Sequence, residues 1–171
     1  RRLLVVTGST DVDRSLEAQL RADAGRLGGR VSAEFLAGLP MGELLSRLAQ
    51  ARHDEVVFTP GFYRDGAGQG FTPRHTVEAM AAVSRAPIYC AFSTHLGTGA
   101  VGGFMPSFEA MGRQAADIVN ELLAGVSPAA LRLPEVMPQV LQVDWRQVRR
   151  WGIETGELPA GARVHYREQS L

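Results

Sequence analysis

The chain switches four times between a run of strand character and a run of helical period, and that alternation constrains its fold more than any single motif. RLLVVTG (2–8) is a continuous apolar run of the kind buried on both faces of a parallel sheet. A helical segment follows to about Leu27, with Ser9, Thr10 or Asp11 as its cap and Gly28-Gly29 as its stop. RVSAEFLAG (30–38) and DEVVFTPG (54–61) read as the second and third strands, separated by a helix over MGELLSRLAQAR (41–52). After the glycine-rich loop FYRDGAGQGFT, Pro73 opens a third helix that runs to about Arg85. APIYCAF (86–92) is the fourth strand and AVGGF (100–104) a short fifth. Pro106 opens the longest helix, SFEAMGRQAADIVNELLAG, which Gly125 ends. Strand–helix units in succession predict an α/β fold: a doubly wound parallel sheet of about five strands with helices on both faces.

Past residue 126 the pattern changes. LRLPEVMPQVLQVDW is extended and broken by Pro134 and Pro138, DWRQVRRWGI is a short helix over 144–151 capped by Asp144, and LPAGARVHYREQSL is extended. The division expected is an α/β lobe over 1–125 and a C-terminal extension over 126–171. Trp145, Val148 and Trp151 recur at three-residue spacing, which gives the short helix one apolar face to dock on the sheet.

Composition excludes several classes of chemistry. The 171 residues suffice for one domain with a real core, and the formal net charge is zero. No basic stripe or tail is present, which argues against a nucleic-acid partner. All 18 basic residues are Arg, so a phosphate-loop lysine, a lysine Schiff base and a lysine general base are impossible. Cys90 stands alone in an apolar β-rich run and reads as a small buried hydrophobe. The four His (53, 75, 95 and 165) are scattered without ligand spacing, so neither a metal nor a cofactor is expected. Ala86 to Phe108 carries no formal charge, but its prolines, glycines, His and hydroxyls argue against a membrane span.

Two motifs invite an enzymatic reading. HLGTGAVGGF sets Gly97, Gly99 and Gly102 in the spacing G-x-G-x-x-G, but after the fourth strand and well before the next helix, not in a tight turn after the first strand. The glycines are better explained by positive φ and close backbone approach. Ser93, His95 and Asp65 could in principle form a nucleophilic triad, yet no G-x-S-x-G elbow supports one. Ligands of open parallel sheets lie beyond the carboxyl ends of the strands. Here those ends hold Ser9, Thr10, Tyr63, Arg64, Asp65, Thr94 and His95. Tyr63 offers a stacking face, and Arg64 a fork suited to a carboxylate or phosphate. Arg64 and Asp65 could equally clamp the glycine loop.

FYRDGAGQGFTP, APIYCAFSTHLGTGAVGG and EAMGRQAADIVNELLAG resemble the substrate-binding proteins of ABC transporters with the type I periplasmic-binding fold. DWRQVRRWGIETGELPAGARVHYRE resembles the end of the extracytoplasmic sensor region of some bacterial two-component sensor histidine kinases. The resemblance implies two α/β lobes, a hinge, and a small ligand in the cleft; Tyr63, Arg64 and Asp65 at the edge suit an amino acid, a small carboxylate or a sugar-like polyol equally. It also implies a periplasmic or extracytoplasmic location on a membrane-anchored, non-catalytic sensing domain. The chain begins at once with a strand, without initiator Met or signal peptide, and the resemblance leads to the expectation that it is the second lobe, cut from a longer chain. The expected partners are then the missing N-terminal lobe and the kinase module of a longer parent. With that lobe absent, Phe108, Met111, Ala115, Ile118, Val119 and Leu122 would lack cover, and a homodimer through residues 100–125 is expected. Gly97, Gly99 and Gly102 would mark the hinge or crossover. A solute-binding protein of an ABC transporter and an α/β enzyme are the alternatives.

Overall fold

The computed structural model describes residues 2–26, 28–134, 136–154, 156 and 158–167. Among these, β1 (Arg2–Thr7), α1 (Asp11–Gly25), β2 (Ser32–Ala37), α2 (Met41–Ala49), β3 (Glu55–Thr59), α3 (Pro73–Val83), β4 (Ile88–Cys90) and β5 (Gly102–Pro106) follow in the expected order. Then come α4 (Phe108–Leu123), β6 (Gln139–Asp144), α5 (Trp145–Arg150) and β7 (Arg163–His165). One mostly parallel sheet of seven strands results, in the order β2-β1-β3-β4-β5-β6-β7. Strands β1 to β5 are parallel, β6 runs antiparallel to β5, and β7 is parallel to β6. The two strands beyond the expected five come from the extension. They are short or flanked by prolines, so neither shows the long apolar run that announces β1.

Strand register sorts the helices onto two faces. Val5 pairs with Phe35 on one side and Phe58 on the other, and Phe58 pairs with Tyr89, so these four share a face. The Arg21 guanidinium of α1 lies 4.0 Å over the Phe35 ring, and Tyr89 packs with Val148, Trp145 and Trp151 of the α5 region. Helices α1 and α5 therefore cover this face, and the spacing of Trp145, Val148 and Trp151 does seat α5 on the sheet. Leu4, Val6, Leu36, Val57, Ile88 and Cys90 project to the opposite face, where Leu44 and Leu48 of α2 and Val77 and Met80 of α3 complete the main core. Each fully buried Leu or Met there contributes about 1.5–3 kcal/mol.

Local signals account for most element ends. Thr10 is the cap of α1, with a reciprocal capping box to Asp13. Thr72 caps α3, with Pro73 in its first turn. Asp144 caps α5. One boundary departs from expectation: Pro106 is the last residue of β5, and Ser107 caps α4 through the Ala110 amide at 3.3 Å. A serine hydroxyl supplies the acceptor that the first turn needs, so the helix starts two residues later. Leu27, the expected end of the first helix, lies outside the described residues. Cys90 is fully buried, and burial pushes its thiol up to about 12. Among the described residues no helix is long and apolar enough to cross a membrane.

Candidate functional site

Strand order reverses between β1 and β3, which opens a crevice at their carboxyl ends. Three loops converge there. The Ser9 amide donates to the Arg64 carbonyl at 2.8 Å, and the Ser9 hydroxyl donates to the Asp65 carbonyl at 2.7 Å. The Gly38 amide donates to the Thr7 carbonyl at 2.9 Å, and the Gly66 amide to the Leu39 carbonyl at 3.3 Å. A Cβ on Gly66 would lie 2.1 Å from the Gly38 carbonyl oxygen, and one on Gly8 would lie 2.5 Å from that of Arg64. The glycines here let backbone meet backbone.

Asp65 holds this junction. Its buried carboxylate accepts from the amides of Met41 (3.1 Å), Ala67 (3.0 Å) and Gln69 (2.8 Å). The Met41 amide first, then those of Gln69 and Ala67, hold the carboxyl below its usual range. The clamp of the glycine loop is thus made by Asp65 on backbone amides. The described residues include no Arg64–Asp65 ion pair. Phe62 and Tyr63 divide their roles by adjacency: Phe62 is buried and packs edge-on against Phe71 with centroids 6.1 Å apart, while Tyr63 is 39% exposed. The Tyr63 ring lies over Gly61, where a Cβ would stand 3.3 Å from Cε2.

The expected site residues therefore fall into three sets. Ser9, Thr10 and Asp65 form the frame, since Thr10 accepts from the Asp13 amide and donates its hydroxyl to the Asp13 carboxylate at 2.6 Å. Tyr63, Arg64 and Thr94 are exposed at the edge. His95 is buried in the 3₁₀ turn Ser93–His95, edge-on to Phe92 at 6.3 Å, and its Nδ1 has no hydrogen-bond partner. Burial, and secondarily the charge of Arg74, push its pKa down. With the Asp65 carboxylate bonded to backbone amides and His95 unpartnered, Ser93, His95 and Asp65 are not hydrogen-bonded as a triad. Among the described residues no group of His, Cys, Asp or Glu could hold a metal ion.

Two residues at this edge were not singled out from the sequence. Arg74 donates to the carbonyls of Thr94 (3.1 Å) and Leu96 (3.4 Å) and so braces the loop after β4. Tyr166, in the C-terminal tail, places its hydroxyl 2.7 Å from where a Gly97 Cβ would be. An Arg in the turn after Thr72-Pro73 was a weak signal for the first; nothing local announces the second. Gly97, Gly99 and Gly102 all have positive φ (81°, 103° and 139°), and each meets a close neighbour: Tyr166, Ala81 and the Gln142 carbonyl.

No known protein family and no curated protein matches the chain. Solved structures do. A substrate-binding protein with adhesive properties from Clostridium difficile, in a ligand-free open form, matches with a TM-score of 0.71 and 14% identity over 96% of this chain and 54% of its own. The ABC domain in complex with L-Trp from Streptococcus pneumonia matches with a TM-score of 0.61 and 12% identity, over 96% of this chain and 55% of its own. A conserved domain protein from Vibrio cholerae matches with a TM-score of 0.58 and 19% identity, over 95% and 54%. The chain spans about half the length of these structures. Mostly parallel strands wound by helices on both faces, with a crevice at the β1–β3 reversal, give this chain the fold of a substrate-binding-protein domain.

Proposed function

We propose that this chain is a non-catalytic, small-ligand-sensing lobe from the extracytoplasmic part of a two-component sensor histidine kinase. The ligand is held at the carboxyl edge of the sheet against Tyr63, Arg64 and Thr94, on the frame made by Ser9, Thr10 and Asp65 with His95 behind it. The observation that carries this reading is the division of labour at the crevice. Backbone clasps close the loops on one another, while an aromatic ring and a guanidinium remain exposed beside them. A ring and a fork suit a zwitterionic amino acid or small carboxylate better than a neutral polyol. In this reading residues 1–125 form the sensing lobe, 126–171 the extension, and Gly97, Gly99 and Gly102 the crossover where the chain leaves for its partner lobe. Closure of two lobes on the ligand would bias the state that the attached kinase module reports.

A thermal-shift panel on the two-lobe parent tests the reading, using L-tryptophan, other amino acids, small carboxylates and a polyol. A ligand at one hundred times its dissociation constant adds about 2.7 kcal/mol of stability. Arg64→Ala is expected to abolish the shift for carboxylate ligands while leaving the unliganded midpoint unchanged. A parent that responds to nothing in the panel, or an Arg64→Ala variant that responds like wild type, would sink the proposal. A transporter solute-binding protein is the second reading, favoured by the likeness to a substrate-binding protein and to an ABC domain in complex with L-Trp.

The partner surface belongs to the same proposal. Helix α4 buries none of its residues, and Phe108, Val119 and Leu122 are exposed. A groove of about 380 Å³ runs between α4 and residues 134 and 136–138, lined by Met111, Ala115, Ile118, Val136 and Met137 among others. In the parent we assign this face to the N-terminal lobe, and in the 171-residue chain to a second copy. Light scattering at micromolar concentration is expected to give twice the 18.5 kDa chain mass; a monomer mass would refute the dimer.

A further inference from the structure

Tyr166 is the only non-glycine residue with positive φ among the described residues, at 58°. Such a conformation persists in a tyrosine when surrounding contacts over-determine it. Two contacts of its own ring do so here, with Arg146 and with Gly97, and the residues around it are tied to β6. Strand β7 ends at His165, which pairs in register with Asp144 of β6, and His165 Nε2 lies 2.9 Å from Gln142 Oε1. Asp144, fully buried, receives a two-pronged hydrogen bond from Arg146 at 3.0 and 2.7 Å. The same guanidinium lies 4.2 Å over the Tyr166 ring. The phenol then lands on Gly97, with its hydroxyl 2.7 Å and Cζ 3.1 Å from the position a Cβ would take.

Gly97 follows directly on the turn that carries Thr94 and His95. Arg74 braces the carbonyls of Thr94 and Leu96 in that turn. The loop after β4 is thus held at two points, by α3 through Arg74 and by the C-terminal tail through Tyr166. We infer that Tyr166 is a positioning residue for the ligand edge, a strut that ties the 93–98 loop to the C-terminal strand so that displacement of one moves the other. Gly97 is glycine because the phenol occupies its side-chain space, and Asp144 and Arg146 hold the strut in place.

The functional meaning rests on the reading of the 93–98 loop as part of the ligand edge. The coupling itself is tested without ligand, so the two can fail separately. Hydrogen exchange followed by mass spectrometry on the 171-residue chain would compare wild type with Tyr166→Gly, Tyr166→Phe and Gly97→Ala. Tyr166→Gly relieves the left-handed backbone yet removes the strut, so a tyrosine held only for local structure would leave the loop unchanged. The strut predicts exchange about tenfold faster in 93–99, with the β1–β3 peptides unaffected. Tyr166→Phe keeps the ring on Arg146 and is expected to exchange like wild type. Gly97→Ala should loosen residues 163–167 in return. Wild-type exchange of 93–99 in a folded Tyr166→Gly protein, or uniform acceleration across all peptides, would overturn the inference.

Discussion

Replacing Gly102 by alanine is expected to lower the thermal midpoint by roughly 8–16 °C, the largest effect of any single-methyl change in this chain. Gly102 is the point where the sheet changes sense. It pairs with Tyr89 of β4 on one side and with Val143 of the antiparallel β6 on the other. Its φ of 139° is a region that L side chains rarely adopt. A Cβ there would stand 2.0 Å from the Gln142 carbonyl oxygen and 2.8 Å from Val143 Cα. Both neighbours are backbone within a strand, so neither yields by a rotamer change. Overpacking and backbone strain together cost about 4 kcal/mol. Differential scanning calorimetry reads the effect directly; a midpoint within a degree or two of wild type would mean that the β5–β6 ribbon shifts freely. Gly42→Ala, in helix α2 where a Cβ meets nothing, is the control, expected to hold or slightly raise the midpoint.

Arg47→Met is the second large effect, expected to cost about 3 kcal/mol and roughly 6–12 °C. Arg47 of α2 bridges two strands. Its Nε and Nη2 donate to Glu34 of β2 at 3.1 and 3.0 Å, and its Nη1 and Nη2 donate to Glu55 of β3 at 3.2 and 2.9 Å. The Glu55 side chain is only 1% exposed, whereas Arg47 and Glu34 are about a quarter and a third exposed. The cost therefore comes mainly from stranding the Glu55 carboxylate, with only the Arg52 amide at 2.9 Å and the more distant Arg2 left to it. Hydrogen bonding from the Arg47 guanidinium holds the Glu34 and Glu55 carboxyls below their ordinary range. A carboxyl depressed in the folded state adds stability above its ordinary range and loses it as pH falls through the lowered folded value. Wild-type stability is thus expected to drop on acidification. The Arg47→Met variant should start lower at neutral pH and show a flatter acid limb. Urea midpoints at pH 7, 5 and 3 check both, and parallel curves for the two proteins would refute the assignment.

Legibility in the sequence followed the range of the interaction. Elements defined by neighbours in sequence were readable: the apolar run of β1, the Thr10 and Asp144 caps, Pro73 in the first turn of α3, and the apolar face of α5. Pro106 misled because a proline signals only that a donor is absent. Ser107, one residue on, has the hydroxyl that caps the helix. Topology placed the loops after β1, β3 and β4 at one edge of the sheet, and the structure joins those after β1 and β3 there. Which of its side chains are free was not readable. Phe62 and Tyr63 are alike by composition, and only the fold buries one against Phe71 and leaves the other exposed.

By itself, then, the sequence determined the fold class and the order of the elements from β1 to α4, because hydrophobic period and capping chemistry act over a few residues. Tertiary structure alone decided how the carboxyl edge of the sheet is built. Ser9 meets Asp65 across 56 positions, and Tyr166 reaches Gly97 from just past the strand at the far edge of the sheet. Such pairings depend on which strands lie side by side, and no local pattern encodes that order. The glycines of HLGTGAVGGF show both halves. Their spacing resembles a dinucleotide loop, but their surroundings show three close contacts: with a phenol, with an alanine methyl and with the backbone of β6.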